Sequence, residues 1–230
     1  MTIDAKRIAA GRSWLPAILG IAAAVLVAWL VAAILGSGAG LAWINAEWPS
    51  ATTHLRVSVS RLLEALVWAA VGALPLALAM RRWQRVETAV TPLLLTALAV
   101  PWVLVAVALN MMVHLRLDGQ GTVVLAACGG GAWLVGGLAP RQRSPGARRQ
   151  CVQRAVRTAL FMLLTAEVLS LGQGLGSQIR FYVLYWSPAL LLLYGGLAVV
   201  VIVGALMAGR LAARPLIAVA AMPAGRRDSG

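Results

Sequence analysis

The chain has 230 residues, of which 61% are hydrophobic and 12% are charged, and its mean hydropathy is +0.85. Soluble domains carry about a quarter charged residues and disordered chains are poor in apolar ones, so both classes are excluded. The net charge of +13 lies mostly between the apolar runs, as in cytoplasmic loops, which indicates an all-α polytopic membrane protein and no nucleic-acid partner.

The predicted elements begin with a cytoplasmic N-terminal head at residues 1–14. A transmembrane domain covers residues 15–209, and a basic cytoplasmic tail covers residues 210–230. An apolar run of about 20 residues is long enough to cross a bilayer as a helix. On this basis we expect about six spans, at residues 15–36, 62–80, 92–113, 121–138, 158–172 and 188–207.

The first apolar run is interpreted as a retained anchor and not as a cleaved signal peptide, because further spans follow it directly. Trp43 and Trp48 suit the bilayer interface, where amphipathic indole rings prefer to lie. The mixed stretch from Ser58 to Glu64 is therefore expected to lie at the interface before the second span begins.

Proline and glycine mark the third and fourth spans. Pro101 falls in the middle of the third, where a missing N–H group predicts a kink. The fourth span contains five glycines, Gly129, Gly130, Gly131, Gly136 and Gly137. Small residues of this kind allow neighbouring helices to approach closely.

The distribution of basic residues predicts the orientation. With six spans and both termini inside, sixteen of the 20 basic residues would be cytoplasmic, and only Arg56, Arg61, Arg116 and Arg180 would be outside. This asymmetry is typical of the positive-inside rule. We therefore expect a multi-pass membrane protein with both termini in the cytoplasm.

One ordered set of features covers the second and third spans. The segment Ser58 to Arg61 precedes a span that contains Gly72, and a basic turn with a glutamate, Arg81 to Glu87, follows it. Pro92 and, nine residues later, Pro101 complete the set. This order resembles the inner-membrane permeases of ATP-binding-cassette importers, most closely the nitrate/sulfonate/taurine type.

A second block, Ala166 and Glu167 followed by Gly174, Leu175 and Gly176, resembles the Ala-Glu pair and the Gly-Leu-Gly turn of the same family. From the start of the first block to the end of the second, the resemblance spans about half of the chain. The resemblance implies a permease-type helical bundle that carries a small solute, for which an anion is one candidate. It also implies a location in a bacterial inner membrane, a second permease-like chain, identical or not, a separate ATPase subunit and a periplasmic binding protein.

The segment between Asp118 and Glu167 departs from that family. In the permeases of that family, the corresponding loop begins with Glu-Ala-Ala and forms a coupling helix that docks on the ATPase. In this chain, the segment contains no acidic residue. Either the basic helix around residues 150–157 replaces the coupling helix, or coupling is lost and no ATPase energy reaches the bundle. The chain is then the degenerate half of a heterodimer, or a non-transporting accessory subunit of a larger membrane complex.

Three residues are candidates for a substrate pathway. A carboxylate within an apolar span, here Glu167, indicates function by default, although the resemblance favours a structural role for it. Pro101 and Asn110 lie nine residues apart, on roughly one face of a helix. Their alternative role is packing and an interhelical hydrogen bond.

The remaining candidates are weaker. Arg148, Arg149, Arg154 and Arg157 suit anionic lipid headgroups or an acidic partner, with simple topological anchoring as the alternative. His54 and His114 lack a carboxylate-rich cluster, so no metal site is predicted. Cys128 and Cys151 are expected to be free thiols. No phosphate-binding loop or catalytic set is present, so we expect neither an enzyme nor a cofactor.

Overall fold

A computed structural model describes residues 42–112, 119–139, 145–170 and 172–221. These residues form helices and short connections without a β-strand, which confirms the all-α prediction. The predicted head and first span, together with His114 and the end of the tail, lie outside the described residues. In chain order the helices are α1 (Ala42–Arg82), α2 (Gln84–Ala99), α3 (Trp102–Met112), α4 (Gly119–Leu138), α5 (Pro145–Leu169), α6 (Leu175–Leu184) and α7 (Pro188–Ala221).

Three of these helices are long and apolar enough to cross a membrane. They are Ile44–Arg82 in α1, Gly119–Leu138 in α4 and Pro188–Ala213 in α7. The pair α2 and α3 provides a fourth crossing if the two are taken together. The spans expected at residues 62–80, 121–138 and 188–207 fall within these helices, of which the first begins 18 residues before the expected start, and a total of six stays a prediction.

The third predicted span is broken at Pro101. The axis of α2 meets that of the segment Trp102–Ala108 at an angle of 78°. Val100 is extended, with φ −66° and ψ 127°, as expected of a residue that precedes proline. Its N–H group donates to the Thr96 carbonyl at 2.9 Å and ends α2. The predicted kink is thus confirmed, and it divides the span into two helices.

The fifth predicted span lies within α5, a single helix that begins thirteen residues before the expected start at residue 158. Four arginines and Glu167 reduce its hydropathy, and it is not among the described helices that pass as membrane-crossing. Because α4, α6 and α7 all pack against α5, its second half is covered largely by protein.

Small residues bring α1, α4 and α5 close together. Ala65, Ala69, Ala73 and Ala77 form a buried stripe along α1 at intervals of four residues. On α4, a Cβ atom at Gly130 would lie 3.0 Å from the Cβ atom of Ala159, and one at Gly137 would lie 3.1 Å from the Sγ atom of Cys151. The predicted close approach around α4 is therefore present, and it depends on these glycines.

The buried apolar residues form two main clusters at opposite ends of the bundle. One includes Leu62, Leu163, Leu175 and Tyr194. The other includes Met80, Leu138, Val152 and Ala213. The second cluster therefore gathers the end of α1, the end of α4, the start of α5 and the late part of α7, and of these four segments those of α1, α5 and α7 carry arginines.

Candidate functional site

The first half of α1 carries a stripe of polar side chains. Glu47, Ser50, His54, Ser58 and Arg61 follow one another at intervals of three or four residues. Residues at these intervals lie on one face of a helix. Each of them forms a hydrogen bond with α5, α6, α7 or the loop between α5 and α6.

The innermost contact of this stripe is with Glu167 on α5. The Glu167 side chain is fully buried. The Ser58 hydroxyl lies 2.7 Å from its Oε2 atom and 2.9 Å from its Oε1 atom. Arg61 Nη1 lies 3.4 Å from Oε1, and the Gly176 N–H group donates to Oε2 at 3.2 Å. A buried carboxylate is costly unless it is paired and hydrogen-bonded, and here both conditions hold.

The loop after α5 folds over the Glu167 carboxylate because two glycines allow it. Gly174 has φ +146°, which residues with a Cβ atom rarely adopt. A Cβ atom there would lie 2.5 Å from Glu167 Oε1. At Gly176, a Cβ atom would lie 2.7 Å from the Glu167 Cβ atom and from the Leu164 carbonyl oxygen. Any larger residue would push the loop away from the carboxylate.

Helix α1 also binds the backbone of this loop. The Leu175 N–H group donates to the Ser58 hydroxyl oxygen at 2.8 Å, and the Gly174 N–H group donates to His54 Nδ1 at 3.2 Å. Arg61 donates from Nη1 to the Gln173 carbonyl. Ser58 therefore accepts from the loop and donates to Glu167, so one hydroxyl connects three parts of the chain.

A second polar group continues along the same stripe. Glu47 Oε1 accepts hydrogen bonds from Tyr194 on α7 at 2.8 Å and from Tyr182 on α6 at 3.1 Å. Ser50 Oγ lies 3.3 Å from the Tyr194 hydroxyl, and the two tyrosine rings stack with centroids 5.3 Å apart. Burial raises the pKa of Tyr182 above its usual value, and its hydrogen bond to Glu47 raises this pKa further.

The predicted family-motif residues fall into two groups. Glu167, Gly174 and Gly176 meet in the network above. Pro92 and Pro101 do not: Pro92 is exposed within α2, and Pro101 is exposed at the break between α2 and α3. Asn110 belongs to α3, but its side chain is outside the described residues.

The four arginines proposed as lipid or partner contacts lie on α5, at the opposite end of the bundle. Arg148 is buried, with 7% of its surface exposed, whereas Arg149, Arg154 and Arg157 are exposed. Arg154 also makes a cation–π contact with the Trp133 ring, with its guanidinium carbon 5.1 Å from the ring centroid. Of the four, Arg148 is thus the one that cannot meet a lipid or partner without rearrangement.

Several members of the polar network were not predicted to form a site. Glu47, Ser50, Tyr182 and Tyr194 have no sequence motif in common, and His54 was considered only as a metal ligand. The available signal was the helical interval of polar residues from Glu47 to Arg61. That interval indicates a polar face but does not reveal its partners, which are more than 100 residues away.

The arrangement suits the joining of helices better than chemistry on a ligand. The Glu167 carboxylate is shielded from solvent, and Ser58, Arg61 and Gly176 pack around it within hydrogen-bond or ion-pair distance. Within the described ranges, no group of three or more His, Cys, Asp or Glu residues could hold a metal ion. Cys151 is buried, Cys128 is exposed, and neither forms a disulfide.

The chain matches no protein-family model, and no curated protein aligns with it significantly.

Proposed function

We propose that the chain is a membrane-spanning, permease-like subunit of an ATP-binding-cassette importer for a small solute. The observation that supports this proposal best is the meeting of the two sequence blocks that carry the resemblance. Ser58 and Arg61 of the first block bind Glu167 of the second, which lies 109 residues after Ser58. These contacts give the two blocks a common structural role.

In this function, Glu167 holds helices together and does not bind the solute. Its carboxylate is fully buried and accepts hydrogen bonds from Ser58 and Gly176, so a passing solute has no access to it. The pathway would instead run along the broken pair α2 and α3, where Pro101 interrupts the backbone hydrogen bonding. Broken helices at membrane depth are tolerated where they face protein or a cavity.

The proposed location is a bacterial cytoplasmic membrane, with both termini in the cytoplasm. The supporting observation is that one end of the bundle collects the basic segments. Arg81 and Arg82 end α1, Arg149 and Arg154 belong to the first half of α5, and the apolar cluster beneath them joins these helices to α7. An excess of arginine on one side is typical of the cytoplasmic side.

Partners follow from the same proposal. The bundle would pair with a second permease-like chain, receive solute from a periplasmic binding protein and be driven by a separate ATPase subunit. One face of α1 supplies an apolar surface for lipid or for such a chain, since Leu63, Val67, Trp68 and Val71 are all more than half exposed. A contiguous apolar surface of this kind is typical of membrane or partner contact.

A second candidate is a non-transporting accessory subunit of a larger membrane complex. It is favoured by α5, which continues without interruption from Pro145 to Leu169 and leaves no separate short helix in that range. It is also favoured by the lack of acidic residues between Asp118 and Glu167. A permease that transmits ATPase closure needs an element that contacts the ATPase differently in its two states.

Purification of the tagged full-length chain in mild detergent distinguishes the two candidates. We expect an ATPase with a phosphate-binding loop to co-purify. Changing the exposed Arg149 to Glu should reduce the amount of this ATPase that is recovered. Arg56→Glu is the matched control, because Arg56 is also exposed and lies at the opposite end of the bundle. Recovery of other membrane subunits without an ATPase would reject the importer and support the accessory role.

A further inference from the structure

The basic end of the bundle contains an open cleft between α5 and α7, with a volume of about 550 Å³. Arg154 and Arg157 line it from α5, and Arg210 lines it from α7. Gln150 and Gln153 add amide groups beside them. The volume is within the range of about 300–1,000 Å³ that is typical of small-molecule sites.

The cleft changes from charged to apolar along its length. On α5, the arginines are followed by Leu160, and on α7, Ile202 and Leu206 precede Arg210 at intervals of four residues. The charged ends of the two helices therefore lie side by side and the apolar parts lie deeper in the bundle. A ligand that fits this gradient has an anionic head and an apolar body.

Neither of the two helices that line the cleft contributes a carboxylate to it. Helix α7 contains no acidic residue, and the only one in α5 is Glu167 at the far end of that helix. Glu167 is moreover occupied by Ser58, Arg61 and Gly176. Guanidinium groups bind phosphate oxygens through several in-plane N–H donors, so a phosphate group is the anion best suited to the cleft.

Arg154 is held in position for such a ligand. Its guanidinium carbon lies over the Trp133 ring of α4, 5.1 Å from the ring centroid, which is within the range of a cation–π contact. An arginine that is already restrained loses less side-chain freedom when it binds a ligand than a freely rotating one. The contact with Trp133 therefore lowers the cost of ordering Arg154 on the α5 side of the cleft.

We propose that this cleft is a binding site for one anionic phospholipid, with its phosphate between Arg154, Arg157 and Arg210. Its acyl chains lie over Leu160, Ile202 and Leu206. A basic pocket between helices on one side of a membrane protein is the kind of site that recognises lipid headgroups. Lipid binding at this site does not require transport. It can therefore be measured in the chain with or without an ATPase partner.

Native mass spectrometry of the full-length protein in detergent tests the proposal, with phosphatidylglycerol as the anionic probe and phosphatidylcholine as the zwitterionic one. We expect one retained phosphatidylglycerol and a weaker phosphatidylcholine signal. The double variant Arg154→Gln/Arg157→Gln should weaken phosphatidylglycerol binding about 30-fold, the effect of two arginine contacts of usual strength near a lipid surface. Arg82→Gln/Arg149→Gln removes the same charge from exposed positions outside the cleft and should change the affinity less than about threefold.

A third variant and a second anion separate a lipid site from a simple anion site. Leu206→Trp fills the apolar part of the cleft without changing its charge, so it should weaken phosphatidylglycerol binding, and excess inorganic phosphate should not displace the lipid. Equal losses in the two double variants, full affinity in Leu206→Trp, or displacement by inorganic phosphate would each overturn the proposal. The proposal would also be overturned if Arg154→Gln/Arg157→Gln lost a co-purifying acidic protein but still bound phosphatidylglycerol.

Discussion

Ser58 and Glu167 join α1 to α5 through a polar contact, with 2.7 Å between the Ser58 hydroxyl oxygen and Glu167 Oε2. Both side chains are fully buried. The same hydroxyl oxygen accepts the Leu175 N–H group, so a single atom joins two helices and the loop that follows α5. A buried polar group of this kind stabilises a structure only when all of its partners are present.

Removing the Ser58 hydroxyl should destabilise the protein clearly. Ser58→Ala leaves the Glu167 carboxylate with one donor fewer and the Leu175 N–H group without its acceptor. Each unsatisfied buried group costs about 1–3 kcal/mol, so we expect a loss of about 2–4 kcal/mol in the free energy of unfolding. Titration with a denaturing detergent measures it. Ser60→Ala, at an exposed position whose hydroxyl contacts its own helix, is the control and should have little effect.

Glycine at position 174 should be essential for the loop. Gly174→Ala places a Cβ atom against the Glu167 carboxylate at a φ of +146°, and we expect a destabilisation of about 2 kcal/mol or more. Gly72→Ala is the matched comparison, because no atom lies within 4 Å of a Cβ atom there. Alanine favours helix over glycine by about 1 kcal/mol, so this variant should be neutral or more stable. Equal thermal stability of the two variants would contradict the close approach of Gly174 to the Glu167 carboxylate.

The shape and the charge of the Glu167 side chain should contribute separately to the free energy of unfolding. Glu167→Gln keeps an oxygen acceptor for Ser58 and Gly176 but removes the charge that faces Arg61. Glu167→Ala removes the acceptors as well and leaves a cavity. We expect Glu167→Ala to lose about 3–5 kcal/mol and Glu167→Gln to lose less. In a double-mutant cycle with Ser58→Ala, the coupling energy should be about 0.5–3 kcal/mol, and additive effects would mean that the contact contributes nothing.

The break between α2 and α3 should depend on Pro101. Pro101→Ala restores an N–H donor and removes the steric restriction on Val100, so the 78° bend should open. Spin labels at Leu93 and Leu104, which are both exposed, would report this as an increase in their separation. Pro92→Ala serves as the control, since Pro92 lies inside α2 and the angle should not change.

Close contact of α4 with α5 should depend on Gly137. A Cβ atom there would overlap the side chain of Cys151, so Gly137→Ala should cost about 1–3 kcal/mol through overpacking. At Gly204 no atom lies within 4 Å of such a Cβ atom, and Gly204→Ala should be tolerated. Thermal unfolding of both variants in the same detergent makes the comparison direct.

Local features of the sequence were sufficient for much of the fold. The kink at Pro101 follows from the covalent structure of proline, and the spans at residues 121–138 and 188–207 follow from uninterrupted apolar composition. The N-terminal extent of α5 was harder to predict, because its arginines reduce the apolar signal on which span prediction depends. Neighbouring helices cover much of its second half, and a single sequence does not show which helices these are.

By itself, the amino-acid sequence determined that the chain is helical and suited to a lipid solvent, since backbone groups in hydrocarbon must bond within a helix. It also determined that a carboxylate at Glu167 needs partners. Only the tertiary structure decided which groups those are, because Ser58 and Arg61 lie more than 100 residues from Glu167 and helix periodicity carries no information at that distance. Likewise, the sequence placed arginines on α5 and α7, but only packing brought Arg154, Arg157 and Arg210 to one cleft.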